Sequence, residues 1–192
     1  MRQHLSRNGL RQILGVGVVL LLALFALNGR PQANQSVSSQ ENQQAFISKI
    51  APRAQELSKA YGIKASLLIG QAALASDYGN HLLAAKYKNL YGVTAERSSH
   101  TVTLLGSVYR DNRWTTQEQD YVVYSSWEEG MDAYLAALKA GQWGDTLYTN
   151  LATHPSNDEA AQFIAASSYT TDPDYTNKLT AIISQYNLTQ YD

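Results

Sequence analysis

Residues 67–93 read LLIGQAALASDYGNHLLAAKYKNLYGV, and the fold turns on this stretch. Its apolar residues recur at spacings of three and four, which predicts a helix from about Lys64 to Tyr78. Leu67, Leu68, Gln71, Leu74 and Ala75 are expected near one side of it. Gly79 supplies a C-terminal stop, because glycine enters the left-handed conformation without a Cβ penalty. A short helix from His81 to Lys88 and a turn at Asn89-Leu90-Tyr91-Gly92 are expected to follow.

Upstream, Phe46, Ile47, Ile50, Ala54, Leu57 and Tyr61 keep a helical period, so an amphipathic helix from Ala45 to Tyr61 is expected, stopped by Gly62. Downstream the period changes. His100 to Tyr109 (HTVTLLGSVY) and Asp120 to Tyr124 (DYVVY) are rich in β-branched and aromatic residues. A polar stretch containing Asp111-Asn112 separates them, which predicts a β-hairpin or small sheet. Helices return over Trp127–Ala140, Asn157–Ser167 and Tyr175–Tyr186, with Asn157-Asp158-Glu159 supplying N-terminal capping and charge. The expected fold class is therefore α+β and mostly helical. A small β-hairpin lobe between helical halves suits a two-lobed cleft of the lysozyme-like kind.

The N-terminal region has a different character. Ile13 to Leu27 (ILGVGVVLLLALFAL) is uninterruptedly apolar, preceded by Arg2, Arg7 and Arg11 and followed by Arg30. A spanning helix needs about 20 apolar residues. Extending the run to residues 12–28, with arginines snorkelling to the headgroups, gives one short transmembrane signal anchor. The basic flank keeps residues 1–11 in the cytoplasm. A cleaved secretory signal is the competing reading, but Leu24-Phe25-Ala26 is a poor cleavage site. Either way the remainder is expected outside the cell. Residues 29–43 are polar and carry Pro31, and are expected to form a linker to a domain over 44–192.

Composition narrows the function. The 192 residues carry a formal net charge of −1, which gives no support to nucleic-acid binding. There is no cysteine, which excludes disulfides, thiolate metal sites, a cysteine nucleophile and a cysteine-linked lipid anchor. His4, His81, His100 and His154 lack ligand spacing, so neither a metal nor another cofactor is expected. Thirteen tyrosines against three Phe and three Trp suit either a sugar-binding groove or a surface of half-buried rings. Trp127 and Trp143 read as packing residues, as does Trp114, although the hairpin gives Trp114 access to a glycan.

The stretch 67–93 resembles the signature of glycoside hydrolase family 73, the bacterial glucosaminidases. That family's pattern is A-Q-A-x-x-E-S-x-x-G, then a short helix, then N-L-F/Y-G-I/V. Gln71, Ala72, Ser76, Gly79, Asn89, Leu90, Tyr91 and Gly92 match it in order and spacing. Ser168 to Tyr175 resembles the family's Y-A-T-D-P-x-Y motif, and Val123-Tyr124-Ser125-Ser126 resembles its F-R-x-Y-x-S segment more weakly. The resemblance covers essentially the whole domain. It implies a lysozyme-like fold and cleavage of the β-1,4 bond between N-acetylglucosamine and N-acetylmuramic acid in peptidoglycan, with no cofactor. Tethering through residues 12–28 would place the domain on nascent glycan, with a membrane protein as a possible partner.

The resemblance also exposes a departure. The family's general acid is the Glu of its E-S pair, and Ala75 occupies that slot, in a register fixed by Gln71 and Ser76. A methyl group transfers no proton, and general acid catalysis is worth roughly 10²–10⁴-fold. The chain as written is therefore expected to be inactive. The retained motif favours replacement of a glutamate, with a non-catalytic glycan-binding pseudoenzyme as the other explanation. A muramidase or lytic transglycosylase is the rival on a related fold. Asp77 lies about 200° around the helix from position 75 and points elsewhere. A loose alignment of the hairpin puts Val108 where a second family carboxylate stands, leaving Glu96, Glu118 and Asp120 as weak candidates. The resemblance further implies that the Tyr169 hydroxyl lies near the cleaved bond, the alternative being a core tyrosine. Gln71, Ser76, Tyr78, Asn89, Tyr91, Gly92, Asp172 and Tyr175 are expected on the substrate. For Asn89 the alternatives are an acetamido contact or a turn cap, and for Asp172 loop ordering is the stronger one.

Overall fold

The computed structural model describes residues 33–192 except Arg97 and His154. The cytoplasmic segment 1–11 and the membrane span 12–28 expected above lie outside the described residues. Among those described, no helix is long and apolar enough to cross a membrane.

Helix α1 (Ala33–Tyr61) buries Phe46, Ile47, Ile50, Ala51, Ala54 and Leu57 on one stripe, as its period predicts. It begins well before Ala45, so the expected linker is helical from Ala33 onward. After Pro31 the segment holds no Gly or Pro, and its Ala, Gln and Glu are good helix formers. Gln43 is already docked, its side-chain oxygen accepting a hydrogen bond from the Tyr186 hydroxyl.

Helix α2 (Ala65–Ser76) is the axis of the domain. Its residues from Ala65 to Ala73 are buried without interruption, so it has no single apolar side of the kind expected. Such a helix must be enclosed by others. α1, α7 (Tyr175–Gln185) and a C-terminal 3₁₀ turn (Leu188–Tyr191) pack around it. The chain leaves α2 earlier than Gly79: Asp77 and Tyr78 are already left-handed, at φ 49° and 53°. Ser76 secures this exit, its Oγ donating to the Ala72 carbonyl at 2.6 Å and accepting from the Gly79 amide at 2.8 Å. At Gly79 itself φ is +80°, and a Cβ would lie 2.9 Å from the Trp127 ring. Trp127 is held in turn by its Nε1, which donates to the Ala84 carbonyl at 2.9 Å. The short helix after it is α3 (Leu82–Ala85).

The β lobe is a two-stranded antiparallel hairpin, β1 (Thr101–Arg110) and β2 (Arg113–Val122). Asp111 and Asn112 both have positive φ, at 51° and 57°, as a two-residue primed turn requires. β2 includes the polar residues 113–119 that sequence alone leaves outside a strand. They lack alternation because that part of the strand is exposed on both faces and held by its ladder to β1 rather than by burial. The hairpin joins the helices through the loop before it: the Val122 amide donates to the Val93 carbonyl at 3.0 Å, and the Tyr124 amide to the Tyr87 carbonyl at 3.0 Å.

Helix α4 (Trp127–Lys139) is capped by Ser126 and packs on α1, where Arg53 forks onto Asp132 at 2.8 and 2.6 Å. α5 (Leu147–Ala152) and the 3₁₀ turn are short elements that the period of the sequence does not reveal. α6 (Asn157–Ala165) begins at the expected residue, but its N-cap is Ser156, in a capping box with Glu159, rather than Asn157. Asp158 and Glu159 occupy its first turn.

Candidate active site

A cleft of about 560 Å³ lies between the hairpin and the helices. Leu74 and Ala75 at the end of α2, His81, and the loop residues Tyr91, Gly92 and Thr94 form one part of its wall. Ser107, Val108, Trp114, Gln119 and Tyr121 of the hairpin face them. Trp143, the loop 168–172, and Tyr175 and Lys178 of α7 complete the lining.

Ala75 is exposed in this cleft, which makes it one of the few residues of α2 outside the core. Gly92 lines the cleft at φ +69°, and a Cβ there would meet nothing within 4 Å. Tyr91, Tyr169, Asp172 and Tyr175 also line it, so these expected residues are brought together with Ala75.

Beneath them the tyrosines form one cluster. Tyr91 stacks on Tyr134 with ring centroids 4.0 Å apart and planes 5° from parallel. Trp143 and Tyr169 meet Tyr134 at 5.3 and 5.9 Å, and Tyr175 meets Tyr169 at 6.1 Å. The hydroxyls are satisfied internally: Tyr169 donates to the Tyr91 carbonyl at 3.1 Å, and Tyr91 to the Leu68 carbonyl at 3.2 Å. Burial, reinforced by neighbouring phenols, pushes the pKa of Tyr91, Tyr134 and Tyr169 well above that of free tyrosine. Burial raises Tyr175 as well. These groups are neutral at physiological pH, and so serve as walls and hydrogen-bonding groups rather than as bases. Tyr169 is thus a packed tyrosine with a bonded hydroxyl, and it also borders the cleft.

Four of the residues expected on the substrate, Gln71, Ser76, Tyr78 and Asn89, are not in the cleft lining. Gln71 is 1% exposed, and its amide is spent on Tyr134, which donates to Oε1 at 3.1 Å, and on Tyr175, which accepts from Nε2 at 3.4 Å. Ser76 caps α2 as described and is likewise buried. Asn89 cross-links the loop to the hairpin: Nδ2 donates to the Val93 and Val122 carbonyls at 2.9 and 3.0 Å, and Oδ1 accepts from the Val93 amide at 3.0 Å. Tyr78 turns away from the cleft lining and packs edge-on against Phe46 and Tyr186. A buried polar side chain must be hydrogen-bonded, and here the nearest partners are backbone and other side chains of the domain.

Most of the candidate carboxylates lie away from the cleft. Among the described residues lining the cleft, Asp172 is the one acid, and it is engaged. Its Oδ2 meets Lys178 Nζ at 2.6 Å and its Oδ1 accepts from the Asp174 amide at 2.9 Å. Glu118 and Asp120 alternate with Gln119 and Tyr121 along β2 and therefore lie on the opposite face, where Asp120 accepts from Thr103. Glu96 is exposed and absent from the cleft lining, and Asp77 is exposed at the helix exit. Val108, aligned with a second family carboxylate, does line the cleft. Ala75 and Val108, where the resemblance leads one to expect acids, are therefore both apolar members of the lining. Among the described residues no group of acidic, histidine or cysteine side chains is placed to hold a metal.

Sequence reasoning missed several lining residues, among them His81, Ser107, Gln119, Tyr121 and Lys178, and it demoted Trp114. Trp114 is 52% exposed, with Tyr109 5.4 Å from it and Lys178 Nζ 5.9 Å from its ring. An aromatic residue at an exposed hairpin turn was the available signal. Tyr109 itself ties the hairpin to the opposite wall, its amide donating to Thr171 Oγ1 at 3.0 Å.

Comparison with known proteins gives a consistent result. The family model Glucosaminidase, described as mannosyl-glycoprotein endo-beta-N-acetylglucosaminidase, matches residues 51–188. The exo-glucosaminidase LytG of Bacillus subtilis is 33% identical over the whole of this chain, which spans 70% of that protein. A probable N-acetylmuramidase of Lactococcus lactis is 32% identical over 84% of the chain, which spans 37% of its length. Among solved structures, the catalytic domain of the Listeria monocytogenes autolysin Auto superposes with a TM-score of 0.67 at 28% identity, covering 86% of this chain and all of that one.

Proposed function

The chain belongs to the glucosaminidase family of peptidoglycan hydrolases, and from that premise we propose that its cleft holds peptidoglycan glycan without cutting it. The observation that carries this reading is the exposed methyl group of Ala75 in the cleft wall. Hydrolysis needs an acid to protonate the leaving oxygen. Among the described residues the one acid lining the cleft, Asp172, is bound to Lys178 and to backbone. With a glutamate at position 75, the reaction would be endo-cleavage between N-acetylglucosamine and N-acetylmuramic acid. The catalytic form would use no cofactor. Its Tyr169 phenol, neutral and half-buried, would border the leaving oxygen as a polar wall.

The experiment incubates the full chain, as written and with Ala75→Glu, with purified peptidoglycan and reads the products by mass spectrometry. The expected result is no release by the chain as written and fragments with reducing-end N-acetylglucosamine from the glutamate form. Release by the chain as written overturns the reading. Fragments ending in N-acetylmuramic acid would instead assign the bond named for the lactococcal relatives.

We also propose that residues 12–28 anchor the chain in the cell membrane with the domain outside, next to newly made glycan and to a membrane-protein partner. The apolar run and its N-terminal arginines support this. Carbonate extraction of membranes, followed by protease treatment of intact cells stripped of wall, tests it. Solubility in carbonate, or protection of the domain from protease, would sink it.

A further inference from the structure

Among the described residues, and apart from its phenols, the cleft lining carries three side chains able to hold charge: His81, Asp172 and Lys178. Asp172 and Lys178 form an ion pair at 2.6 Å and cancel. His81 is different. Its ring is exposed at the cleft, and among the described residues no hydrogen bond to that ring is formed. Its backbone is fixed, the amide donating to the Ser76 carbonyl at 2.9 Å and the carbonyl accepting from the Ala84 and Ala85 amides at 3.0 and 2.8 Å. The tight left-handed exit from α2 therefore returns the chain to the cleft, with His81 on the same wall as Ala75.

Ala75 brings no acid to this wall and leaves space beside the imidazole. Among the described residues of the lining, His81 is the side chain able to hold charge that has no partner. We propose that His81, beside the uncharged slot of Ala75, makes this cleft selective for a carboxylate-bearing glycan. In peptidoglycan the group of that class is the lactyl carboxylate of N-acetylmuramic acid once its peptide has been removed. An imidazole N–H donates to a carboxylate in either of its protonation states, and the bond is charge-assisted. This inference rests on the glycan-binding reading above and adds the substrate class to it.

The test measures binding of the full chain, in mild detergent, to three ligands by calorimetry. They are peptide-free glycan strands with free carboxylates, the same strands with carboxylates converted to amides, and chitin hexaose, whose backbone matches but carries no carboxylate. The free-carboxylate strands should bind roughly threefold to fivefold more tightly than the other two, as a partly exposed charge pair allows. His81→Asn should remove that preference while chitin binding persists. Asparagine is a good helix N-cap, so the entry to α3 is kept and retained chitin binding reports an intact fold. Equal affinity for all three ligands, or a preference that survives His81→Asn, overturns the selectivity and leaves the glycan reading standing. Binding to none of them overturns both.

Discussion

The Asp192 carboxylate caps the helix that carries Ala75: Oδ1 accepts from the Ser66 amide at 2.7 Å and Oδ2 accepts from the Ser66 hydroxyl at 2.9 Å. The residue before α2, Lys64, offers no side-chain cap of its own. The far end of the chain therefore supplies what the local sequence lacks. Asp192→Ala should destabilise the domain by about 1–2 kcal/mol, the usual cost of losing a cap. Asp192→Asn should cost less, because its carbonyl keeps one acceptor. Urea unfolding measures both, and a midpoint unchanged in Asp192→Ala would show the cap to be dispensable.

Gly70 lets α7 approach α2 closely. A Cβ there would fall 2.9 Å from Leu179 Cδ1 and 3.1 Å from Ile183 Cγ1. Replacing a helical glycine by alanine gains about 1 kcal/mol of propensity, whereas overpacking a core costs about 1–3 kcal/mol. Gly70→Ala should be destabilising on balance by about 1 kcal/mol. A gain in thermal midpoint would show that the two side chains yield freely.

Gly106 on β1 seats Tyr121 in the cleft wall, since a Cβ would lie 2.3 Å from the Tyr121 hydroxyl and 3.2 Å from Gln119 Oε1. Gly106→Val should displace both side chains and weaken binding to glycan strands roughly tenfold, the equivalent of about 1.4 kcal/mol. Leu105 points to the other face and is 70% exposed, so Leu105→Ala serves as the neutral control. Equal binding by both variants would remove Tyr121 and Gln119 from the binding surface.

Two capping carboxylates set an acid limit on stability. Glu129 accepts from the Ser125 hydroxyl and, at 2.7 Å, from the Ser125 amide. Glu159 accepts from the amide and hydroxyl of Ser156, both at 2.8 Å. These bonds hold both pKa values below their ordinary 4.5. In the window beneath 4.5 the unfolded chain binds more protons than the folded one, so stability rises with pH there and is lost as pH falls through the folded values. Replacing both with glutamine should flatten the acid limb of a urea-midpoint profile taken from about pH 3 to 6. An unchanged slope would assign acid sensitivity to other groups.

Much of the order of elements was legible in the chain. The period of 46–61 and the Asp111-Asn112 turn each declare a helix and a hairpin through local geometry, and Gln71 and Ser76 fix the register of Ala75 between them. Residues 33–43 and 113–119 were not legible. Their helix and strand carry little apolar periodicity, and residues 39–42 and 113–118 are exposed.

What the sequence determined by itself is the succession of helices around a hairpin and the presence of alanine at position 75. Only the tertiary structure decided which motif residues face the cleft. α2 is enclosed on all sides, so its periodicity holds no inside or outside, and packing alone turns Gln71 and Ser76 inward and leaves Ala75 exposed. The hairpin is mostly unburied, so its pleat sets Tyr121 in the cleft and Asp120 away from it, but nothing in its composition says which face is which. Contacts between residues distant in the chain make that choice, and a local pattern carries no record of them.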